Sequence, residues 1–164
     1  MPKDFIFFIR DILAENNLEL SGLDAIAISK GPGSYTGLRI GVSAAKGLCY
    51  SLNLPLISVS TLTSIAHQVT DNGFIVPMLD ARRMEVYTAV FDENKNQIEK
   101  TTAKILEPTS YLDQLEKGKT IFIGSGVAKF TEICTHYNAG FIPEKLPSSR
   151  EVKVETAMSG RFRE

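Results

Sequence analysis

Asp24-Ala25-Ile26-Ala27-Ile28-Ser29 runs straight into Lys30-Gly31-Pro32-Gly33-Ser34-Tyr35-Thr36-Gly37, and that junction decides the fold. Small residues between large ones make the first six a compact strand, and the glycines and proline that follow make a tight turn. Leu38 to Asn53 then carries an amphipathic helical pattern that stops before Pro55, and Leu56-Ile57-Ser58-Val59-Ser60 is a second strand. Strand, turn, helix and strand in that order form a βαβ unit with a short crossover, which predicts two parallel strands. A helix from Leu62 to about Val69 follows, with Ser60 or Thr61 as its N-cap.

Upstream, residues 4–17 predict a helix ending near Asn16-Asn17, with a short buried strand over Phe5–Ile9 as the alternative. Phe5, Ile6, Phe7, Phe8 and Ile9 are consecutive, so a helix there is apolar around its circumference and is expected to be buried on more than one side. Downstream of Asp71-Asn72-Gly73 the texture becomes β-rich. Phe74–Asp80, Met84–Asp92 and about Ile98–Ile105 predict strands, with Val86, Thr88 and Val90 alternating against Tyr87, Ala89 and Phe91. A helix from Pro108 to about Lys117, a strand over Thr120–Ile123, a glycine turn at Gly124-Ser125-Gly126 and a helix over Val127–Tyr137 complete the pattern. Pro143–Pro147 reads as loop, and the polar stretch Ser148–Glu164 as room for one more helix.

Composition narrows the classes. The 164 residues are 43% hydrophobic and 23% charged, near the globular average, which argues against disorder and fibrous repeats. Eighteen Lys+Arg against nineteen Asp+Glu give a net charge of −1 and no bulk electrostatic case for coating nucleic acid, although a local basic patch stays open. The longest wholly apolar run, Phe5–Ile9, is far short of the roughly 20 residues a membrane helix needs. No signal-peptide pattern precedes it, and the two cysteines, Cys49 and Cys134, have no CxxC partner, so a reduced cytoplasmic protein is the expectation.

The glycine-rich segment fits neither of two phosphate-binding patterns. Gly37 is followed by Leu38-Arg39, not by the Lys-Ser/Thr of a P-loop, and the spacing from Gly31 and Gly33 puts Thr36 where a dinucleotide fingerprint needs glycine. A helix start after a glycine turn still suits an anion, which makes Gly33, Ser34, Gly37 and Arg39 candidates for a phosphate contact. Gly37, Gly41, Ala44 and Leu48 fall nearly on one line of the helix, with Ser43 and Gly47 beside them. Each interior glycine costs roughly 1 kcal/mol relative to alanine, so a close approach of another helix or strand is the expected compensation. Arg39 and Lys46 read either as solvated helix residues or as contacts to a phosphate or a partner carboxylate.

Other chemistry is sparse. His67 and His136 have no His, Cys or Asp at metal-ligand spacing, and neither an HExxH motif nor a Gly-x-Ser-x-Gly elbow occurs. No catalytic or metal-binding residue is assigned. Asp80-Ala81-Arg82-Arg83-Met84-Glu85 is a second charged cluster that fits magnesium binding, substrate positioning or structural ion pairs.

Gly31-Pro32-Gly33-Ser34-Tyr35-Thr36-Gly37-Leu38-Arg39-Ile40-Gly41 resembles the hallmark of the TsaB (YeaZ) family, and the similarity continues through Ala45-Lys46-Gly47-Leu48, Pro55–Val59 and Ser60-Thr61-Leu62. It resumes at Asp80–Tyr87 and Ile123-Gly124-Ser125-Gly126. The resemblance implies an α/β, two-lobed fold of the actin/hexokinase/Hsp70 (ASKHA) type, divided here as residues 1–73 and 74–164. It implies a non-catalytic partner of the TsaD enzyme which, with the ATPase TsaE, supports transfer of a threonylcarbamoyl group to N6 of a tRNA adenosine beside the anticodon. It also implies a homodimer when the chain is alone, ATP or ADP only within the complex, tRNA contact only through partners, and no membrane. Phe5, Phe8, Ile9 and Ile12 with Gly41, Ala44, Leu48 and Tyr50 are the expected partner surface. Family members carry further strands before the first helix seen here and a further C-terminal segment, so a fragment or a mis-started frame is one expectation. A nucleotide-dependent phosphotransferase of the same fold, or a stand-alone interaction module, are the competing readings.

Overall fold

The computed structural model describes residues 4–147, with side chains from Phe7 onward; the helix expected within Ser148–Glu164 lies outside them. Two compact units divide them. The first comprises the residues up to Lys30 together with Ser34–Val59, and the second comprises Gly31–Gly33 and the chain from Ser60.

In the first unit, α1 (Asp4–Glu15) ends at Asn17, whose φ of 54° is left-handed, and the Asn16 side-chain amide donates to the Ile12 carbonyl at 2.7 Å. Asparagine tolerates that conformation better than most residues, so the helix stops where the sequence predicts. β1 (Ile26–Ser29) and β2 (Leu56–Val59) pair in parallel, from Ile26 opposite Leu56 to Ser29 opposite Val59. Between them α2 (Tyr35–Leu52) begins three residues earlier than the sequence predicts, because Ser34 rather than Gly37 closes its start. It ends at Asn53 (φ 53°), whose amide donates to the Cys49 carbonyl, and Pro55 follows. Ala45 and Cys49 are the buried residues of α2, and burial pushes the Cys49 thiol up, in keeping with a small hydrophobe.

The second unit is a five-stranded sheet in the order β5-β4-β3-β6-β7. β3 (Phe74–Asp80), β4 (Glu85–Phe91) and β5 (Gln97–Ile105) form an antiparallel meander, while β6 (Thr120–Gly124) and β7 (Ala139–Pro143) run parallel to β3. Helices cover both faces. Val76, Met78, Val86, Val90 and Phe122 pack with α4 (Leu112–Lys117) and α5 (Val127–Thr131) through Leu115, Val127 and Phe130. Ile75, Leu79, Ala89, Phe91, Ile121 and Ile123 pack with α3 (Thr61–Ala66). A sheet buried on both sides needs large apolar residues at odd and even positions, which is why β3 and β6 read as continuous apolar runs.

Besides α2, other elements depart from the sequence reading. α3 groups with the second sheet, because Leu62, Ile65 and Ala66 are fully buried against it, so the units separate after Val59 and not after residue 73. α4 begins at Leu112 rather than Pro108, α5 stops at Thr131 rather than Tyr137, and the strand Ala139–Pro143, which the sequence reading does not assign, takes in the first residue of the expected loop. The cause is tertiary: the chain turns at His136, whose carbonyl accepts from Ala139 N–H at 3.0 Å, so that β7 can add to β6.

Candidate functional site

α2 positions most of the sequence-predicted site. Ser34 caps it: the Gly37 N–H donates to the Ser34 hydroxyl at 3.4 Å, so these two candidates meet. Arg39 goes elsewhere. Its guanidinium lies over the Tyr35 ring, 5.4 Å from the centroid, and its Nη1 is 3.5 Å from the Tyr35 hydroxyl. Gly33 is exposed and lies before the cap. Tyr35, Thr36, Arg39, Ile40 and Ser43 line a hollow on the outward side of the helix.

Of the small-residue line, Gly41 meets a strand, one of the two expected neighbours. A Cβ built on Gly41 would lie 3.4 Å from Ile28 Cδ1 of β1, so Gly41 faces the sheet together with Ala45 and Cys49. Its place in the expected partner surface is corrected accordingly: it lies on the side of α2 that packs on β1. Ala44 and Leu48 are half-buried on the flank, and Tyr50, 93% exposed, points away.

α1 also departs from expectation. Phe8 and Ile12, one turn apart, are 62% and 59% exposed, Phe7 is exposed, and Ile9 is half-buried. Multi-sided burial of this helix is therefore not achieved by the described chain, since nothing in it covers that face. The side chain of Phe5 lies outside the description. Phe8, Ile12 and Tyr50 thus remain as large exposed apolar groups of the first unit.

The second cluster forms at the ends of β3 and β6. Asp80 Oδ1 pairs with Lys129 Nζ at 2.6 Å and accepts the Arg82 N–H at 2.6 Å, while the Asp80 N–H donates to the Ser125 hydroxyl at 3.2 Å. The Lys129 ammonium bond and then the Arg82 amide hold the Asp80 carboxyl below its usual range. Of the three readings open for this acid, the structure supports ion pairing. Lys129 and Ser125 were invisible as partners in the sequence, since only the β3–β6 pairing brings positions so distant in the chain together. Gly124-Ser125-Gly126 serves close packing: Gly124 adopts φ 118°, and the Gly126 N–H donates to the Met78 carbonyl at 3.0 Å. Among the described residues no group of three or more His, Cys, Asp or Glu is placed to hold a metal, and no helix is long and apolar enough to cross a membrane.

Two α/β units, one a parallel crossover and one a sheet covered on both sides, define the class of architecture for comparison. The family model for TsaD, tRNA N6-adenosine threonylcarbamoyltransferase, matches residues 3–159. The TsaB proteins ("tRNA threonylcarbamoyladenosine biosynthesis protein TsaB") of Haemophilus influenzae and Escherichia coli are 32% and 36% identical to the chain, over 79% and 72% of its length. The chain spans 60% and 54% of those two relatives. YeaZ from Pseudomonas aeruginosa superimposes with a TM-score of 0.73 at 24% identity, covering 92% of this chain and 71% of that one. A crystal structure of an uncharacterized Pseudomonas aeruginosa protein with similarity to peptidase YEAZ gives 0.78 at 24%, covering 96% and 75%. At that identity the two structures establish the fold alone. The chain belongs to the family of that model, TsaD (tRNA N6-adenosine threonylcarbamoyltransferase), and the relatives it matches within it are TsaB proteins.

Proposed function

We propose that the chain is a partner subunit that supports a TsaD-type enzyme in threonylcarbamoyladenosine formation on tRNA, acting at N6 of the adenosine beside the anticodon. The observation that carries this is the exposed apolar pair Phe8 and Ile12, one turn apart on α1, in a chain whose curated relatives are TsaB proteins. Large apolar groups left exposed one turn apart on a helix are what a helix-to-helix partner contact requires. In this reading the same face forms a homodimer when the enzyme is absent, a TsaE-type ATPase joins the assembly, and the work takes place in the cytoplasm. An ATP or ADP phosphate near Gly33–Arg39 belongs to the assembled complex, because in the chain alone the Ser34 hydroxyl caps α2 and Arg39 lies on Tyr35.

The test is co-purification with the TsaD-type enzyme, with assembly mass read by light scattering. Phe8→Arg and Ile12→Arg change exposed positions, so circular dichroism should stay that of the parent while the mass of the assembly falls to that of separate chains. An unchanged mass, or a parent chain that never associates with the enzyme, would refute the reading.

A further inference from the structure

The turn between β3 and β4 holds two long cationic side chains on an uncommon backbone conformation. Arg82 and Arg83 are consecutive and both left-handed, at φ 72° and 47°. That region suits glycine and asparagine; a long side chain gains nothing locally by occupying it. The backbone around the pair is nevertheless pinned. The Arg82 N–H donates to Asp80 Oδ1, the Ala81 N–H donates to the Glu85 carbonyl at 3.1 Å, and the Glu85 N–H donates to the Arg82 carbonyl at 3.0 Å. Lys129 Nζ braces both sides of the turn, through Asp80 Oδ1 and through the Glu85 carbonyl at 3.2 Å.

This bracing also settles the charges. Asp80 is neutralised by Lys129, so it does not draw in either arginine, and among the described residues neither Arg82 nor Arg83 has a carboxylate partner. Both are exposed. The turn also stands where β3 and β6, parallel neighbours, send their chains in opposite directions: β3 turns back to β4 on one side, and β6 passes through α5 to β7 on the other. The crevice beyond the carboxyl ends of strands at such a divergence is where open α/β sheets take ligands.

We propose that the Arg82–Arg83 turn is a docking element for the phosphodiester backbone of tRNA, contributed directly by this chain. Two exposed guanidiniums without a carboxylate partner, side by side on a braced turn, are the groups that pair with phosphate oxygens, and a chain with net charge −1 has to bind RNA through such a local site rather than through its overall field. The proposal rests on the tRNA-modification reading above and departs from the expectation that partners make all of the RNA contacts.

The experiment compares the full chain with its Arg82→Asn, Arg83→Gly double variant, whose residues favour positive φ and therefore keep the turn. Binding of an unmodified tRNA transcript is titrated between about 50 and 200 mM salt, thermal melting is recorded, and association with the TsaD-type enzyme is measured in parallel. The expected result is a melting temperature equal to or above the parent's, at least a tenfold loss of tRNA affinity, and a log–log salt slope smaller by about 2. A parent chain that does not bind tRNA, or a variant with unchanged affinity and slope, overturns the proposal. A variant that keeps the RNA but loses the enzyme also overturns it, and reassigns the turn to a protein carboxylate surface. Failure of the parent to associate with the enzyme, with tRNA binding still dependent on the pair, would sink the subunit reading and leave the RNA site standing.

Discussion

Gly124→Ala should be among the most damaging single-methyl additions in the second unit. Gly124 closes β6 at φ 118°, and a Cβ there would lie 2.4 Å from the Met78 carbonyl oxygen and 3.3 Å from its carbonyl carbon. Both atoms are backbone of the central strand β3, so no side-chain rotation can relieve the contact. The displaced oxygen is also the one that accepts the Gly126 N–H at 3.0 Å. An unfavourable backbone conformation costs about 1–3 kcal/mol, forced displacement of packed atoms about 1–3 kcal/mol, and the weakened hydrogen bond about 1 kcal/mol. The total of about 3–7 kcal/mol compares with a typical stability of about 5–15 kcal/mol for a whole domain. Urea unfolding followed by circular dichroism should show the midpoint falling steeply. Gly47→Ala is the control, since a Cβ there meets nothing within 4 Å and alanine favours the helix by about 1 kcal/mol. If the Gly124→Ala midpoint and slope match the parent, the close approach of β6 to β3 is wrong.

Two further outcomes follow from the same sheet. Phe122→Ala should cost about 3–5 kcal/mol in the same assay, because Phe122 is fully buried with ring contacts to Tyr111, Phe130 and Phe141. Asp80→Asn should lower stability by under about 1 kcal/mol, as expected of a partly exposed pair. The Asp80 carboxyl is depressed when folded, chiefly by Lys129 and then by the Arg82 amide, so its contribution is fully present above the ordinary aspartate value of about 3.9. That contribution is lost as pH falls through the depressed value, so the stability curves of parent and variant should converge in acid; a gap that persists at the lowest pH would refute the ion-pair assignment.

Local signals were legible where one stretch of chain carries both the element and its stop. β3 spans Phe74–Asp80 as its apolar run predicts, Ser60 caps α3 by accepting the Thr63 N–H, and the parallel pairing of β1 and β2 follows from the short crossover between them. The ends of α2 were half legible: Asn53 and Pro55 mark its stop, while the glycines hid a start that Ser34 makes at Tyr35. Of the candidate site, Ser34 and Gly37 meet as neighbours on the helix start, whereas Arg39 turns to Tyr35 and Gly41 turns to β1.

Sequence alone determined where most strands and helices lie, which faces alternate, and which family the glycine motif resembles, because propensity, capping and periodicity act over a few residues. Tertiary structure decided the rest, because each of the remaining questions turns on contacts distant in sequence. α3 joins the second sheet because Leu62, Ile65 and Ala66 find their apolar partners there. Asp80 is an ion-pair anchor because β3 and β6 align its carboxylate with Lys129. Phe8 and Ile12 stay exposed because a helical pattern records that a face is apolar, whereas burial depends on whether another surface reaches it.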